Sequence, residues 1–249
     1  MGTIYRKGMP MKFEPHIYDY LNDKDFIGSL HVKISSPASK PMNRIGYLTS
    51  ISERKKVIHM GCVDHLPLVD KKIASGTWMH KLLDDKAARC LGIDINAEGI
   101  AYIQKLGYKD SIAIDLIKDK PATEILEDHW DYMIMGELME HIDNPVLFLS
   151  QIREKYGHVI DKVLITVPNG LRWINFKRVL RNKEVINSDH RFWFTPYTLA
   201  KVCTEAGLEV DEFNFLLDYK MHPLSIITKT IYRRIPAFLD TLSMIARFR

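Results

Sequence analysis

Three acidic side chains stand at the ends of three apolar segments that follow one another along the chain. Asp94 ends the second apolar segment, Asp115 the third and Glu137 the fourth. A carboxylate can accept hydrogen bonds from both hydroxyls of a ribose diol, and another can accept one from an adenine amino group. One such acid alone is as often a solvated or capping group. Three in succession predict a site for a nucleoside-containing cofactor, with Asp94 on the ribose and Asp115 on the adenine.

A sharp turn comes before these acids. The apolar run 57–60, interrupted by His59, stops at Gly61 and is followed by Cys62. Glycine lets the backbone turn tightly and lets a ligand lie against it, so the ligand is expected on Gly61 and Cys62. The turn has neither the three spaced glycines of the dinucleotide fingerprint nor a phosphate-binding loop. A cofactor without a pyrophosphate therefore fits better than a nicotinamide dinucleotide.

The segments that must position these residues alternate between strand and helix. Strands are predicted at 57–60, 89–95, 111–116, 130–136, 162–167, 208–217 and 241–248. Gly107 is predicted to end one of the intervening helices and Thr195 to cap another. This alternation predicts an α/β fold, a doubly wound and mostly parallel seven-stranded sheet with helices on both faces. Ligands bind at the carboxyl ends of such strands, where the glycine turn and the three acids would meet.

The chain is predicted to form one domain with an N-terminal arm. Residues 1–44 are irregular, with prolines and with aromatic side chains among charges, and are predicted to be an arm or lid packed on the domain at 45–249. Residues 41–51 are predicted to form a short helix before the first strand. Residues 171–194 are rich in Arg, Lys, Trp and Phe and interrupt the alternation. They are predicted to be an inserted lid over the site.

The C-terminal segment 223–239 has an apolar stripe at helical spacing. The stripe consists of Leu224, Ile227, Ile231, Ile235 and Phe238. It is predicted to be buried against the sheet, and the less favoured alternative is that this helix rests on a membrane surface.

Composition narrows the class of protein. The net charge of +4 on 249 residues is too small to indicate a nucleic-acid partner. Cys62, Cys90 and Cys203 share no metal-ligand spacing and indicate a reducing compartment. No signal-peptide core or membrane-spanning window is present. We expect a cytoplasmic protein that does not bind nucleic acid, and the sequence sets no oligomeric state.

The motifs together resemble class I S-adenosylmethionine-dependent methyltransferases over residues 45–217. Residues 57–62 resemble the family's first motif, 92–95 the second, 114–116 the third, 130–141 the fourth and 165–170 the end of the fifth strand. The resemblance implies S-adenosylmethionine as the cofactor. It also implies a set of cofactor-binding residues, which consists of His59, Gly61, Cys62, Asp94, Ile95, Asp115, Leu116, Gly136 and Glu137.

Two positions depart from the family's first motif. The family usually has an acid where His59 stands and a second glycine where Val63 stands. The acid commonly holds the amino-acid part of the cofactor. Asp64, His65 and His80 are hypothetical replacements for it.

Methyl transfer to a hydroxyl needs a base as well as alignment and the exclusion of water. His141 directly follows the fourth strand, and His190 lies on the insertion, so both are candidate bases. The alternatives are that His141 braces its loop and that His190 has a structural or substrate-binding role. Glu137, Glu140 and His141 also form a pattern associated with a divalent metal in ubiquinone-pathway O-methyltransferases. Because relatives without a metal share this pattern, we expect no metal.

The insertion indicates the methyl acceptor. Residues 189–195 and the helix that follows resemble a subgroup often found in surface-glycan biosynthesis. Candidate acceptor contacts are Arg172, Trp173, Arg191 and Trp193, because aromatic faces suit sugar rings and cations suit phosphate. The other interpretation is a lid packed on the core. We expect O-methylation of a sugar or another surface-glycan precursor; the alternatives are a small-metabolite or quinone-type acceptor and a catalytically silent cofactor-binding relative.

Overall fold

Eight strands form one sheet in the computed structural model, which describes residues 10–34, 42–218 and 226–249. The strands are β1 (Met42–Asn43), β2 (Lys56–Met60), β3 (Arg89–Asp94), β4 (Ser111–Ala113), β5 (Trp130–Gly136), β6 (Ile160–Pro168), β7 (Leu208–Leu217) and β8 (Thr241–Phe248). Their order across the sheet is β1-β7-β8-β6-β5-β2-β3-β4. β8 runs antiparallel to β6 and β7, and the other pairs are parallel.

Ten α-helices connect and cover the strands within the described residues. They are α1 (Ile17–Leu21), α2 (Arg44–Ser52), α3 (Val69–Ala74), α4 (Met79–Asp84), α5 (Ala97–Lys105), α6 (Thr123–Leu126), α7 (Pro145–Tyr156), α8 (Trp173–Val179), α9 (Pro196–Glu205) and α10 (Ile226–Arg234). Thr195 caps α9 as predicted, and its hydroxyl forms a capping box with Thr198. Gly107 follows α5 with a φ of 107°, as expected for a residue that ends a helix.

The predicted doubly wound α/β fold is confirmed, with one more strand than expected. β1 falls where the sequence predicted the start of a helix. The side chain of Asn43 accepts a hydrogen bond from the amide of Gly46 at 3.2 Å and so fixes the start of α2 at residue 44. The two residues before α2 are left extended, and they pair with the end of β7.

Alternate residues of the central strands enter different cores. Ile58 and Ile165 belong to a large core with side chains of α1, α7 and α9. Val57 and Leu164 belong to a smaller core with side chains of α2 and α4. Both faces of the sheet are therefore covered, which explains why its strands are apolar throughout.

The described part of the arm, residues 10–34, packs on the far side of the sheet from α2. Met11 forms an antiparallel bridge with Phe213 of β7, and the Phe13 ring lies 4.8 Å from the Phe213 ring. Ile17 and Leu21 of α1 are buried in the large core. The rest of the predicted arm, at 1–9 and 35–41, lies outside the described residues.

The C-terminal stripe is exposed at two of its predicted positions. Ile231 is 39% exposed and Ile235 is 42% exposed, whereas Tyr232 is buried. The prediction that the stripe packs against the sheet is wrong for these two residues, because the helix turns Tyr232 inward instead. Leu224 and the side chain of Ile227 lie outside the described part of the chain. In that described part, no helix is long and apolar enough to cross a membrane.

Candidate functional site

The turn after β2 is held by two backbone hydrogen bonds. The amides of Gly61 and Cys62 both donate to the carbonyl of Ile93, at 2.8 and 3.2 Å. Gly61 has a φ of 69°, which glycine adopts without strain, and it is exposed at the carboxyl edge of the sheet. The backbone at Gly61 is therefore accessible at this edge, and its contact with a ligand remains a prediction.

Val63, which replaces a family glycine, turns its side chain into the core. It is buried with Trp78, Ile100 and Ile103. A Cβ atom on Gly99 would lie 2.4 Å from Val63 Cγ1, so the absence of a side chain at Gly99 makes the room that Val63 occupies. The larger residue consequently does not fill the crevice above the turn.

Asp94 stands at the end of β3 with its carboxylate oriented by the backbone. Oδ2 accepts from the amide of Val63 and Oδ1 from the amide of Asn96, each at 3.0 Å. Each oxygen keeps a further lone pair, and the residue is only half-buried. The next side chain, Ile95, is 78% exposed. This edge thus offers a fixed acceptor beside an apolar surface.

Asp115 and Leu116 lie in a loop, because β4 ends earlier than predicted, at Ala113. Burial alone would raise the pKa of Asp115, but hydrogen bonds from the amides of Ile117 and Lys118 outweigh it and lower this pKa. The carboxylate is thus engaged by its own turn. The side chain of Leu116 is buried in the large core.

His59 is buried and paired with a second histidine. Its Nδ1 lies 3.3 Å from Nδ1 of His80, and both rings are nearly inaccessible. Burial, followed by the neighbouring His80 and Arg44, lowers the pKa of His59 well below its usual value, and burial lowers that of His80 to about 4. Both rings are neutral at pH 7. They bring no negative charge to the place where the family has its acid.

The other two replacements considered for that acid lie on the exposed side of the turn. Asp64 forms an ion pair with Lys72 and accepts a hydrogen bond from the amide of His65.

Gly92 makes room for the buried His80 ring and for the Cys62 side chain. A Cβ atom at Gly92 would lie 2.8 Å from His80 Cε1 and 2.9 Å from Cys62 Sγ. Burial raises the pKa of the Cys62 thiol, so at this position the protein offers a ligand backbone rather than thiolate.

Arg44 is a candidate functional residue that the sequence reasoning missed. It is the first residue of α2 and is half-buried. Its Nη1 lies 3.7 Å from the position that a Cβ atom on Gly136 would occupy. Its positive charge acts on Glu137, Glu140 and His59. A helix N-terminus leading into the first strand of the site, with an arginine at its first position, was the available signal.

Glu137 and Glu140 place two carboxyl groups beyond β5. Glu137 has a φ of 54°, an unfavourable conformation for a residue with a side chain. Burial raises the pKa of Glu137, although Arg44 opposes this. Burial and then the charge of Glu137 raise the pKa of Glu140 to about 8. Neither oxygen of the Glu140 carboxyl group has a hydrogen-bond partner among the described residues.

His141 and His190 come together at Glu140. Their rings meet edge to face with centroids 4.7 Å apart, and His190 Nε2 lies 3.9 Å from Glu140 Oε1. Burial, then His141 and Arg172, lower the pKa of His190, so its ring is neutral at pH 7. Ligand atoms of Glu140, His141 and His190 all lie within 4.8 Å of one another. This set differs from the sequence pattern, because His190 stands in it and Glu137 does not.

Three of the predicted acceptor residues make aromatic or cation–π contacts, and the fourth, Arg191, binds the loop that follows β5. Arg172 lies over the Trp193 ring, with Cζ 4.9 Å from the centroid, and Trp173 packs on Phe238. Arg191 instead fastens the insertion to the domain: its amide donates to Glu140 O at 2.8 Å and its Nη1 to His141 O at 2.6 Å. It also pairs with Asp143. Arg191 therefore holds His141 and the insertion together, and its role in binding the acceptor remains a prediction.

A cavity of about 560 Å³ lies within the insertion, because all of its lining residues belong to the insertion or directly flank it. Its lining is partly apolar and partly cationic, and consists of Gly170, Leu171, Asn175, Arg178, Val179, Asn182, Lys183, Glu184, Val185, Trp193 and Thr195. Trp193 belongs to this wall, and its ring centroid lies 6.5 Å from that of His190. The cavity is therefore one aromatic side chain away from the histidine cluster.

A family model described as a methyltransferase domain matches residues 46–212 of the chain. The chain belongs to this methyltransferase family. The resemblance to methyltransferases is thereby confirmed at family level, and with it the expectation of S-adenosylmethionine as the cofactor. No curated protein gives a significant match to the sequence.

Solved methyltransferases share the fold at low sequence identity. The small RNA methyltransferase HEN1 is 16% identical with a TM-score of 0.54; the match covers 90% of this methyltransferase but only 27% of the HEN1 chain. A methyltransferase in complex with the Haloferax volcanii Trm112 activator is also 16% identical, with a TM-score of 0.50 and coverage of 81% and 86%. At these identities the likeness concerns the fold alone.

Proposed function

We propose that this methyltransferase transfers the methyl group of S-adenosylmethionine to a hydroxyl of a sugar-containing surface-glycan precursor, with His141 as the base. The observation that carries the proposal is the approach of His141 and His190, 4.7 Å apart, beside Glu140 and the Arg172–Trp193 pair. The cofactor supplies a methyl group activated by a sulfonium.

The residues at the edge of β2 and β3 would hold the nucleoside of the cofactor. Asp94 keeps free lone pairs for the ribose hydroxyls, and Ile95 offers an exposed apolar face to the adenine. Gly61 allows the close approach of the backbone. Asp115 and Leu116 remain a proposed adenine contact, which their loop would make through its backbone because the Asp115 carboxylate is engaged and the Leu116 side chain is buried.

The amino-acid part of the cofactor is a zwitterion and needs both charges from the protein. With His59 and His80 neutral, we assign the negative charge to Glu137, whose Oε1 has no hydrogen-bond partner among the described residues. We assign the positive charge to Arg44, which approaches Gly136. An ammonium group next to Glu137 would offset the burial that raises its pKa.

Arg44→Gln is therefore expected to weaken the binding of S-adenosylhomocysteine by about 10- to 100-fold, because a charge-assisted contact to the carboxylate is lost. Calorimetric titration measures this Kd. Arg54→Gln is the matched control, since Arg54 is exposed in the connection between α2 and the start of β2, at the opposite end of that strand from Gly61. A Kd for Arg44→Gln equal to that of the wild type would remove Arg44 from the cofactor site.

The acceptor side rests on Arg172, Trp193 and the cavity. A sugar ring can pack on the face of Trp193, and the cations that line the cavity suit a phosphate group. His141 would take the proton of the acceptor hydroxyl. His190, neutral at pH 7, would orient the hydroxyl or the His141 ring.

The same cluster favours a second arrangement, with a divalent metal. One carboxylate and two imidazoles form a suitable donor set, and the unpartnered oxygens of Glu140 fit a cation. A bound metal ion would supply Lewis-acid polarisation of the acceptor hydroxyl. His141 and His190 would then hold the ion, and the expectation of no metal from the sequence would be wrong.

Acceptor profiling tests the proposal. The purified chain is incubated with methyl-labelled S-adenosylmethionine and with nucleotide sugars, glycan oligosaccharides or catechols, each with and without a chelator. We expect label on a sugar hydroxyl. Label on catechols alone would support the quinone-type alternative, and S-adenosylhomocysteine binding without any transfer would support a silent relative. Activity that is lost with chelator and restored by Mg²⁺ would establish the metal arrangement.

A further inference from the structure

The middle of the insertion forms an exposed apolar turn. We define the insertion tip as residues 176–186, which comprise the end of α8 and the residues that follow it. Leu180 is 81% exposed and Val179 is 68% exposed. Phe176, Val185 and Ile186 are each between 41% and 49% exposed. Large apolar side chains that cluster on a surface usually mark a site of interaction.

The insertion tip is strongly basic as well as apolar. Lys177, Arg178, Arg181 and Lys183 lie among the apolar residues, and Glu184 is the single acid. The Glu184 carboxylate accepts a hydrogen bond from Trp193 Nε1 at 3.3 Å. Because this contact turns the one negative charge toward the Trp193 side, the surface of the tip carries an excess of positive charge.

The insertion tip is held in one conformation. Asn182, with a φ of 51°, reverses the chain, and its amide donates to Val179 O at 2.9 Å. The amide of Lys183 donates to Arg178 O at 3.0 Å. In the middle of α8, the Phe176 ring packs 5.8 Å from the Phe238 ring. The apolar side chains are thus presented by a hydrogen-bonded turn on a fastened helix.

The end of α10, close in sequence to Phe238, also carries exposed apolar and basic side chains. Ile231 and Ile235 are each more than one-third exposed, and Arg233 and Arg234 are exposed between them. The chain then reaches Phe238, on which the Trp173 ring of α8 packs at 5.1 Å. α8 therefore packs on the segment that follows α10.

We propose that the insertion tip binds the surface of an anionic lipid bilayer, with Leu180 among the acyl chains and with Lys177 and Arg181, which do not line the cavity, at the phosphate headgroups. Side chains of both kinds find a partner at such a surface. RNA would satisfy the cations but would leave Leu180 in water. The inference goes beyond methyl transfer itself. It places the cavity that the tip residues help to line next to the membrane surface.

Vesicle flotation of the full-length chain tests the inference. We expect binding to vesicles of phosphatidylcholine with phosphatidylglycerol, and none to phosphatidylcholine alone or at high salt. Leu180→Ser/Ile186→Ser and Lys177→Gln/Arg181→Gln should each weaken binding about tenfold or more. Phe26→Ser is the matched control and should not change binding, because Phe26 is exposed but lies beside acidic residues.

Several outcomes would overturn the inference. Failure of the wild type to float with anionic vesicles would do so, as would equal binding by the Leu180→Ser/Ile186→Ser variant. Tight binding of RNA that depends on Lys177 and Arg181 and competes with the vesicles would identify the tip as a nucleic-acid surface instead. Calorimetry with S-adenosylhomocysteine confirms that each variant is folded. It also separates failure of this inference from failure of the proposed methyl transfer.

Discussion

His141→Ala is expected to lower kcat by about 10²- to 10⁴-fold and to leave the Kd for S-adenosylhomocysteine within about threefold of the wild-type value. The imidazole is adjacent to His190 and Glu140, on the acceptor side of the site, so its removal should affect the proton-transfer step and not the cofactor. Steady-state kinetics on the acceptor found by profiling and calorimetry on the cofactor product measure the two quantities separately.

His190→Ala provides the matched comparison, because it removes the other ring of the same edge-to-face pair. A base at His141 predicts a smaller loss for His190→Ala, and a pH dependence of kcat that disappears in His141→Ala. Equal losses in both variants, together with inhibition by chelators, would instead fit two metal ligands. Turnover of His141→Ala at the wild-type rate would remove it from catalysis.

The buried pair of His59 and His80 is expected to make the protein sensitive to acid. Burial lowers both pKa values. Between pH 7 and pH 5 the two histidines therefore become protonated in the unfolded chain but stay neutral in the folded chain. Stability therefore falls as the pH falls through this window. Each histidine should reduce the free energy of unfolding by about 2 kcal/mol, starting from an unfolded pKa of about 6.5.

The measurement is a comparison with His59→Gln/His80→Gln by denaturant unfolding at pH 7 and pH 5. Glu140 has the opposite effect on stability. Because its pKa is raised in the folded chain, its carboxyl group is protonated there in this pH window, and acid stabilises the folded chain at this site. The difference between wild type and variant cancels this effect, and about 4 kcal/mol of pH dependence should disappear in the variant. His129→Gln, at an exposed histidine, should behave like the wild type. A variant that keeps the full pH dependence would show that the pair does not exclude protons.

Local chemistry explains what could be predicted from the sequence. The positive φ of Gly61, the hydrogen bond from Asn96 to Asp94 and the cap at Thr195 depend only on the residue itself or on residues a few positions away, so these features are visible in the sequence. Strand alternation likewise follows from runs of apolar residues, and it was enough to predict the doubly wound sheet. β4 was predicted too long because the apolar run that includes Leu116 continues into the core beyond the end of the strand.

The other features depend on contacts between distant segments. His190 meets Glu140 only because Arg191 fastens the insertion at that point, 50 residues from His141 along the chain. Arg44 joins the site because α2 begins beside Gly136. The exposure of Ile231 depends on which face of α10 meets the protein, and the spacing of apolar residues alone selected the wrong face. No local pattern in the sequence specifies the contact of His190 with Glu140 or the face of α10 that meets the protein.

The contact between Val63 and Gly99 also constrains the order in which the two residues could change. With any side chain at position 99, a valine at 63 would overlap it, since Cγ1 lies 2.4 Å from the Cβ position. Glycine at 99 with glycine at 63 costs only helix propensity and an unfilled space. On a mutational path to this sequence, position 99 must therefore be glycine before position 63 becomes valine. Returning position 63 alone to the family residue would leave a void beneath α5.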